Sequence, residues 1–284
     1  MDKMNQRTIS SPVTCKGIGL HTGQEATLKI WPAPPDHGLV FVRSDLPRPE
    51  LIPARCENIR GTQNASTIGV NGTQVSTVEH LLAAFYGLRI DNAVVEVQGP
   101  EVPIMDGSAA PFVKILSAAG AEAQPRSRRK LIVTRPVRVE ENGKWAELRP
   151  GDDFRVRFTI QFDHPAIGEQ SLEVEFINGN FKKDISPART FGFLHEVEAL
   201  KALGLARGGS LENAVILDAE KVLNPEGLRF SDEFVRHKIL DTLGDLMLLG
   251  LPIQGHYHAL KAGHALNLKL VQALLTDTSA YDIV

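Results

Sequence analysis

From Glu25 to Trp31 apolar and polar side chains alternate, placing Ala26, Leu28 and Ile30 on one face, the period of a half-buried strand. The turn-rich run Pro32 to Gly38 leads into a second apolar strand, Leu39-Val40-Phe41-Val42. Asn71-Gly72 carries a hairpin signal, because both residues tolerate positive φ. The period then lengthens: from Ser76 a helix is predicted through Leu81, Leu82, Ala84 and Phe85, stopping at Gly87. A strand over Asn92 to Val97 and a helix over Ala110 to Ala119 complete the first half.

The second half repeats the order. The polar, basic run Gly120 to Lys130 reads as a solvated linker. Beyond it lie a strand from Leu131 to Glu140, an Asn142-Gly143 turn, and a strand from Lys144 to Leu148. Phe154 to Phe162 and Ser171 to Phe176 are further strands. A long helix is predicted from Asp232 to Leu249, with Ser231 as N-cap and Gly250-Leu251-Pro252 ending it. His80 lies 27 residues before Gly107 (107 − 80), and His237 lies 27 before His264 (264 − 237), a spacing that supports an internal duplication. The expected fold is α+β: two similar domains, residues 1–124 and 125–284, each a small, mainly antiparallel sheet packed with two helices, with the active site between them.

Composition narrows the function classes. With 284 residues, two domains of ordinary size are natural, and 43% hydrophobic with 23% charged residues is globular composition. A net charge of -3 provides no chain-wide basic field for nucleic acid. The polar start, Met1 to Arg7, has no signal-peptide core, and the longest apolar run, Leu246 to Ile253, is interrupted by Gly250 and Pro252 and is too short for a membrane span. Cys15 and Cys56 lack metal-site spacing. The expectation is a cytoplasmic, monomeric protein without an integral membrane segment.

Three stretches carry candidate chemistry. His237 and Asp241 stand four apart on the long helix and share a face, so they form either a helix-surface pair or two metal ligands; Asp245 extends the same polar stripe. Ser76-Thr77-Val78-Glu79 fits a capping box, while the same run offers His80 as a third ligand with the Glu79 carboxylate beside it as a base. His264, beside Gly263 at a helix start, is either a cap or surface residue or a proton-transfer group. A rival metal pair, His256 and His258, shares one face of a strand, where an exposed sheet face is the plainer reading.

Gly19-Leu20-His21-Thr22-Gly23, Thr77-Val78-Glu79-His80-Leu81, and the run Glu101 to Phe112 are unusual motifs. So are Ala188-Arg189-Thr190-Phe191-Gly192-Phe193, Gly209 to Ala214, Asp232 to Lys238, and Gly263-His264-Ala265-Leu266-Asn267. In this order they closely resemble the UDP-3-O-acyl-N-acetylglucosamine deacetylases, zinc amidohydrolases of lipid A synthesis. The resemblance implies zinc held by His80, His237 and Asp241, with Glu79 as the general base acting on water. It implies His264 as general acid oriented by Asp245, and Thr190 and Lys238 as oxyanion donors. Lys144, Phe162 and Lys261 would contact the UDP part and Phe191 the acyl passage of a small-molecule substrate, with transient work at the inner membrane surface. The chain departs from the family pattern at Ala262, Leu268 and His195-Glu196, which touches fine substrate contacts and acyl length. A metal hydrolase of another amide, or a non-catalytic acyl- or nucleotide-binding module with structural zinc, is the alternative.

Overall fold

The structure, a computed structural model, describes residues 5–176 and 179–284; Met1 to Met4 of the polar start lie outside the described residues. In chain order, the first half contains β1 (Asn5–Ile9), β2 (Val13–Ile18), β3 (Glu25–Pro32), β4 (Leu39–Arg43), β5 (Leu51–Pro53), β6 (Ile59–Gly61), β7 (Thr67–Val70), β8 (Thr73–Val75), α1 (Glu79–Leu88), β9 (Ala93–Gln98) and α2 (Ala110–Ala119). There follow β10 (Ala121–Ser127), β11 (Leu131–Val133), β12 (Val137–Glu141), β13 (Lys144–Arg149), β14 (Phe154–Gln161), β15 (Glu169–Glu175), β16 (Phe191–Phe193), α3 (Leu194–Ala202), β17 (Val215–Leu217), α4 (Glu233–Leu246), β18 (Ile253–Leu260), α5 (His264–Thr276) and β19 (Tyr281–Ile283).

The two halves share one topology. In the first, the sheet order is β2-β3-β9-β4-β5, with β9 antiparallel to β3 and parallel to β4. In the second, β12-β13-β18-β14-β15 repeats that order, with β18 antiparallel to β13 and parallel to β14. The helices recur at the same interval: α1 and α2 start 31 residues apart (110 − 79), and so do α4 and α5 (264 − 233). The duplication expected from histidine spacing is therefore present, but in a different register. His80 is the second residue of α1 and His237 the fifth of α4, so the matching 27-residue intervals do not join equivalent positions.

Each sheet buries one face. Ala26, Leu28 and Ile30 of β3 are buried as their alternation requires, and Ile253, Gly255, Tyr257 and Ala259 do the same in β18. Helices α1 and α4 pack directly on one another, and one apolar cluster runs through both repeats. The crossing is close because residue 244 is glycine: a Cβ there would collide with the Glu79 carbonyl.

Several local expectations need correction. The supposed linker forms β10, paired antiparallel with β1; its only buried side chain is Gln124, so apolar alternation had nothing to reveal. The expected strand Leu131 to Glu140 is two strands, because β11 leaves to pair with β18 and β19. Helix α1 continues past Gly87 to an Arg89 cap at φ 54; Gly87 is a close-approach site, where a Cβ would strike the Phe181 ring. No capping box forms: α1 begins at Glu79 without a side-chain cap, and the N-cap of α4 is Asp232, not Ser231. The Asn71-Gly72 and Asn142-Gly143 turns form as expected, all four residues having positive φ.

Candidate metal centre and its cleft

Each repeat carries an insertion between its fourth strand and its first helix: the β6-β7-β8 sheet in one, and α3 with the β16-β17 pair in the other. These insertions wall a cleft of about 610 Å³ over the α1–α4 crossing. Thr62 and Asn64 line one side; Phe191, Phe193 and Ile216 line the other.

At the cleft floor, α1 contributes Glu79 and His80, and α4 contributes His237, Lys238 and Asp241. Candidate ligand atoms of His80, His237 and Asp241 lie within 4.8 Å of one another, all three residues being buried. Asp241 Oδ1 is 3.3 Å from His237 Nε2 and 3.6 Å from His80 Nε2, yet it has no hydrogen-bond partner among the described residues. A buried carboxylate oxygen left unsatisfied between two imidazoles fits a shared cation. The other oxygen, Oδ2, accepts from Lys238 Nζ at 2.9 Å. His237 Nδ1 lies 3.1 Å from the Ala188 carbonyl, which takes its proton and turns the Nε2 lone pair toward Asp241. Burial, with the cation of Lys238 and the His80 ring, outweighs the Asp241 charge and lowers the His237 pKa to about 3, so this imidazole is neutral and free to ligate. Burial would raise Asp241, but its neighbours His237, Lys238 and His80 hold it well below the usual carboxylate range.

Glu79 and His264 flank this set. Glu79 Oε2 accepts the Ser66 N–H at 3.0 Å, and Oε1 is 3.7 Å from His264 Nε2. Burial, reinforced by the charges of Asp241 and Asp245, raises the Glu79 pKa. His264 opens α5; its Nδ1 donates to Asp245 Oδ2 at 2.9 Å, and its side chain is only 10% exposed, so it is a fixed group rather than a mobile loop residue. Burial would lower His264, but the charge and hydrogen bond of Asp245, then Glu79 and Asp241, lift its pKa to about 10. Asp245 is fully buried behind the imidazole, where it also accepts from Asn267 Nδ2 at 2.8 Å.

The structure brings Thr190, Phe191, Lys144, Phe162 and Lys261 to the same cleft. Phe162 and Phe191 meet edge to face at 5.6 Å, and Lys238 Nζ lies 5.6 Å from the Phe191 ring centroid. His256 and His258 share a face of β18 as expected, but His256 bonds Asp153 at 2.8 Å and neither joins the candidate centre. Glu101, quoted above only as part of a motif, is a support that the sequence reading missed. Fully buried, it accepts from the His21 and Thr22 amides and from both the Thr22 and Thr77 hydroxyls. Thr77 has φ 57, a rare state for a β-branched residue, and it immediately precedes the turn into Glu79 and His80.

A cleft whose floor holds a nitrogen–nitrogen–oxygen ligand set, with a carboxylate and an imidazole on either side, has the equipment of a metal-dependent hydrolase. The comparison with known proteins narrows that class. The family described as UDP-3-O-acyl N-acetylglycosamine deacetylase matches residues 6–276. A UDP-3-O-acyl-N-acetylglucosamine deacetylase of Myxococcus xanthus (strain DK1622) is 53% identical over 280 residues, covering 99% of this chain and 89% of that protein. Proteins of the same name from Shewanella baltica (strain OS155) and Shewanella oneidensis are each 51% identical over 282 residues, covering 98% of this chain and 92% of theirs. The chain belongs to the UDP-3-O-acyl N-acetylglycosamine deacetylase family.

Proposed function

We propose that this chain hydrolyses the N-acetyl group of UDP-3-O-acyl-N-acetylglucosamine, releasing acetate and UDP-3-O-acyl-glucosamine, the committed step of lipid A biosynthesis. The observation that carries the reading is the convergence of His80, His237 and Asp241 from both repeats between Glu79 and His264, in a chain of this family. Zinc held by those three residues would polarise the acetyl carbonyl and acidify water.

The chain's own groups divide the remaining work. An amide resists hydrolysis because water is a poor nucleophile and an amine a poor leaving group. Glu79, made more basic by burial, takes the proton of the attacking water through its free Oε1. Lys238 and Thr190 line the cleft where the tetrahedral oxyanion forms, each donor contributing about 3 kcal/mol. His264 is an imidazolium at neutral pH and gives its Nε2 proton to the departing nitrogen, while Asp245 fixes the ring through Nδ1. Phe162, Phe191, Lys144 and Lys261 provide two aromatic faces and two cations for a substrate combining an acyl chain with a diphosphate. Among the described residues no helix is long and apolar enough to cross a membrane; the proposed setting is the cytoplasm, with transient work at the inner membrane surface on the acylated substrate.

Metal analysis joined to a deacetylation assay of the wild type, Glu79→Ala and Asp241→Ala tests the proposal. The expected pattern is about one zinc per chain in the wild type and Glu79→Ala, little in Asp241→Ala, and turnover only in the wild type. Undiminished turnover in either variant, or in thoroughly chelated protein, overturns it.

A further inference from the structure

Ser66 lies between β6 and β7, outside every motif noted above, with only 1% of its surface exposed. All three of its polar groups are used. Its carbonyl accepts the Val78 N–H at 3.3 Å, which ties it to the start of α1. Its N–H donates to Glu79 Oε2 at 3.0 Å, and its Oγ donates to Asp245 Oδ1 at 2.6 Å. One residue of the first repeat therefore bonds both the carboxylate proposed as base and the carboxylate that holds the proposed acid.

The hydrogen count gives these contacts a direction. An ionised carboxylate only accepts, so the single Ser66 hydroxyl proton goes to Asp245. His264 Nδ1 then faces acceptors alone: Asp245 Oδ2 at 2.9 Å, Asp245 Oδ1 at 3.1 Å and the Ser66 oxygen at 3.4 Å. Nδ1 keeps its proton in either charge state, and Nε2 is left as the nitrogen that exchanges. On the other side, the Ser66 N–H occupies Glu79 Oε2, leaving Oε1, the oxygen 3.7 Å from His264 Nε2, as the one that exchanges.

We infer that Ser66 is a positioning residue of the proposed deacetylation: it selects His264 Nε2 and Glu79 Oε1 as the proton-exchanging atoms and holds them facing each other across the cleft floor. The inference rests on the acid–base reading above and adds to it a coupling between the two repeats that runs through one side chain.

Ser66→Ala removes the hydroxyl and keeps the N–H bonded to Glu79. Its effect is read in the wild-type and Asp245→Asn backgrounds, with kcat, KM, zinc content and melting temperature measured for all four proteins. In the wild-type background, kcat is expected to fall about tenfold, with KM within about twofold and the melting temperature within about 5 °C. In the Asp245→Asn background the same change is expected to leave kcat unaltered, because the carboxylate charge through which Ser66 acts is already gone. An unchanged kcat in Ser66→Ala, an equal loss in both backgrounds, a larger drop in melting temperature, or a loss confined to KM assigns Ser66 to structural support and overturns the inference. A readout independent of turnover separates this failure from that of the proposed function: the Nδ1–H proton resonance of His264. It is expected to move in Ser66→Ala, and an unmoved resonance counts against Ser66 even if the wild type proves inactive on the acylated UDP-sugar.

Discussion

Glu79 and Glu233 hold the same place in the two repeats: each is the first residue of the helix that enters the central crossing, and each is buried. Their surroundings are opposite. Glu233 accepts from Arg189 through Nε at 2.9 Å and Nη2 at 3.2 Å, and from the amides of Arg189 and Arg229. Every oxygen is engaged and the charge is matched by a guanidinium, so the group ties the Ala188–Thr190 segment to α4. Glu79 has one amide on Oε2 and no Arg or Lys bridge among the described residues, so burial raises its pKa and Oε1 stays open toward His264. The same carboxylate at the same point of a duplicated fold is structural when an arginine closes it and available for proton transfer when none does.

Replacement of the two carboxylates separates these roles. Glu79→Ala is expected to lower deacetylation by roughly 10² to 10⁴-fold while leaving urea unfolding near wild type. Glu233→Ala is expected to reverse the pattern, destabilising the fold by about 3 kcal/mol because the buried Arg189 is left with only the exposed Glu226 carboxylate to match its charge. Equal destabilisation by the two variants in a urea titration would erase the distinction. The next effect in size tests the crossing itself. Gly244→Ala pushes a methyl group into the Glu79 carbonyl, with an expected cost of about 1–3 kcal/mol and a loss of turnover, since Glu79 must move; wild-type kcat in that variant would show that the helices yield without disturbing the base.

The remaining test is the pH dependence of the metal-stripped protein, where two histidines act in opposite directions. His237 falls from an ordinary 6.5 to about 3, so the unfolded chain binds its proton first and stability declines as pH drops from 6.5 toward 3. His264 rises from 6.5 to about 10, so its contribution is complete below 6.5 and is lost as pH climbs through 10. Stability from this pair peaks near pH 6.5, and His264→Gln is expected to flatten the alkaline side of a urea-midpoint profile. An alkaline decline of the same size in that variant assigns it to other groups.

Much of the fold could be read where burial is one-sided. The alternation of β3 follows from which side chains must leave water, and the two hairpin turns follow from Asn-Gly pairs that accept positive φ. Helix α4 is buried on nearly every side, so it was legible from its end signals at Asp232 and Gly250, and the i, i+4 pair His237 and Asp241 because helix geometry fixes their separation. Other elements hide because their side chains bury little: β10 exposes nearly all of its residues, and α3 buries none. The supports of the site hide for another reason. The Ala188 carbonyl and the Ser66 amide are backbone groups with no residue-type signal, and Glu101 acts through a fold that places Thr77 and the His21 loop beside it. The Ser76–Glu79 run shows the reverse error: its local pattern fits a cap, yet the carboxylate turns inward to Ser66.

Two of the candidate ligands, His80 and His237, stand 157 residues apart (237 − 80). A divalent ion between them would act as a staple across more than half of the polypeptide, and closing so long a loop removes far more freedom from the unfolded chain than a local link does. Loading and unfolding would then be one coupled equilibrium, with resistance to proteases and to hydrogen exchange at the helix crossing rising with free ion concentration.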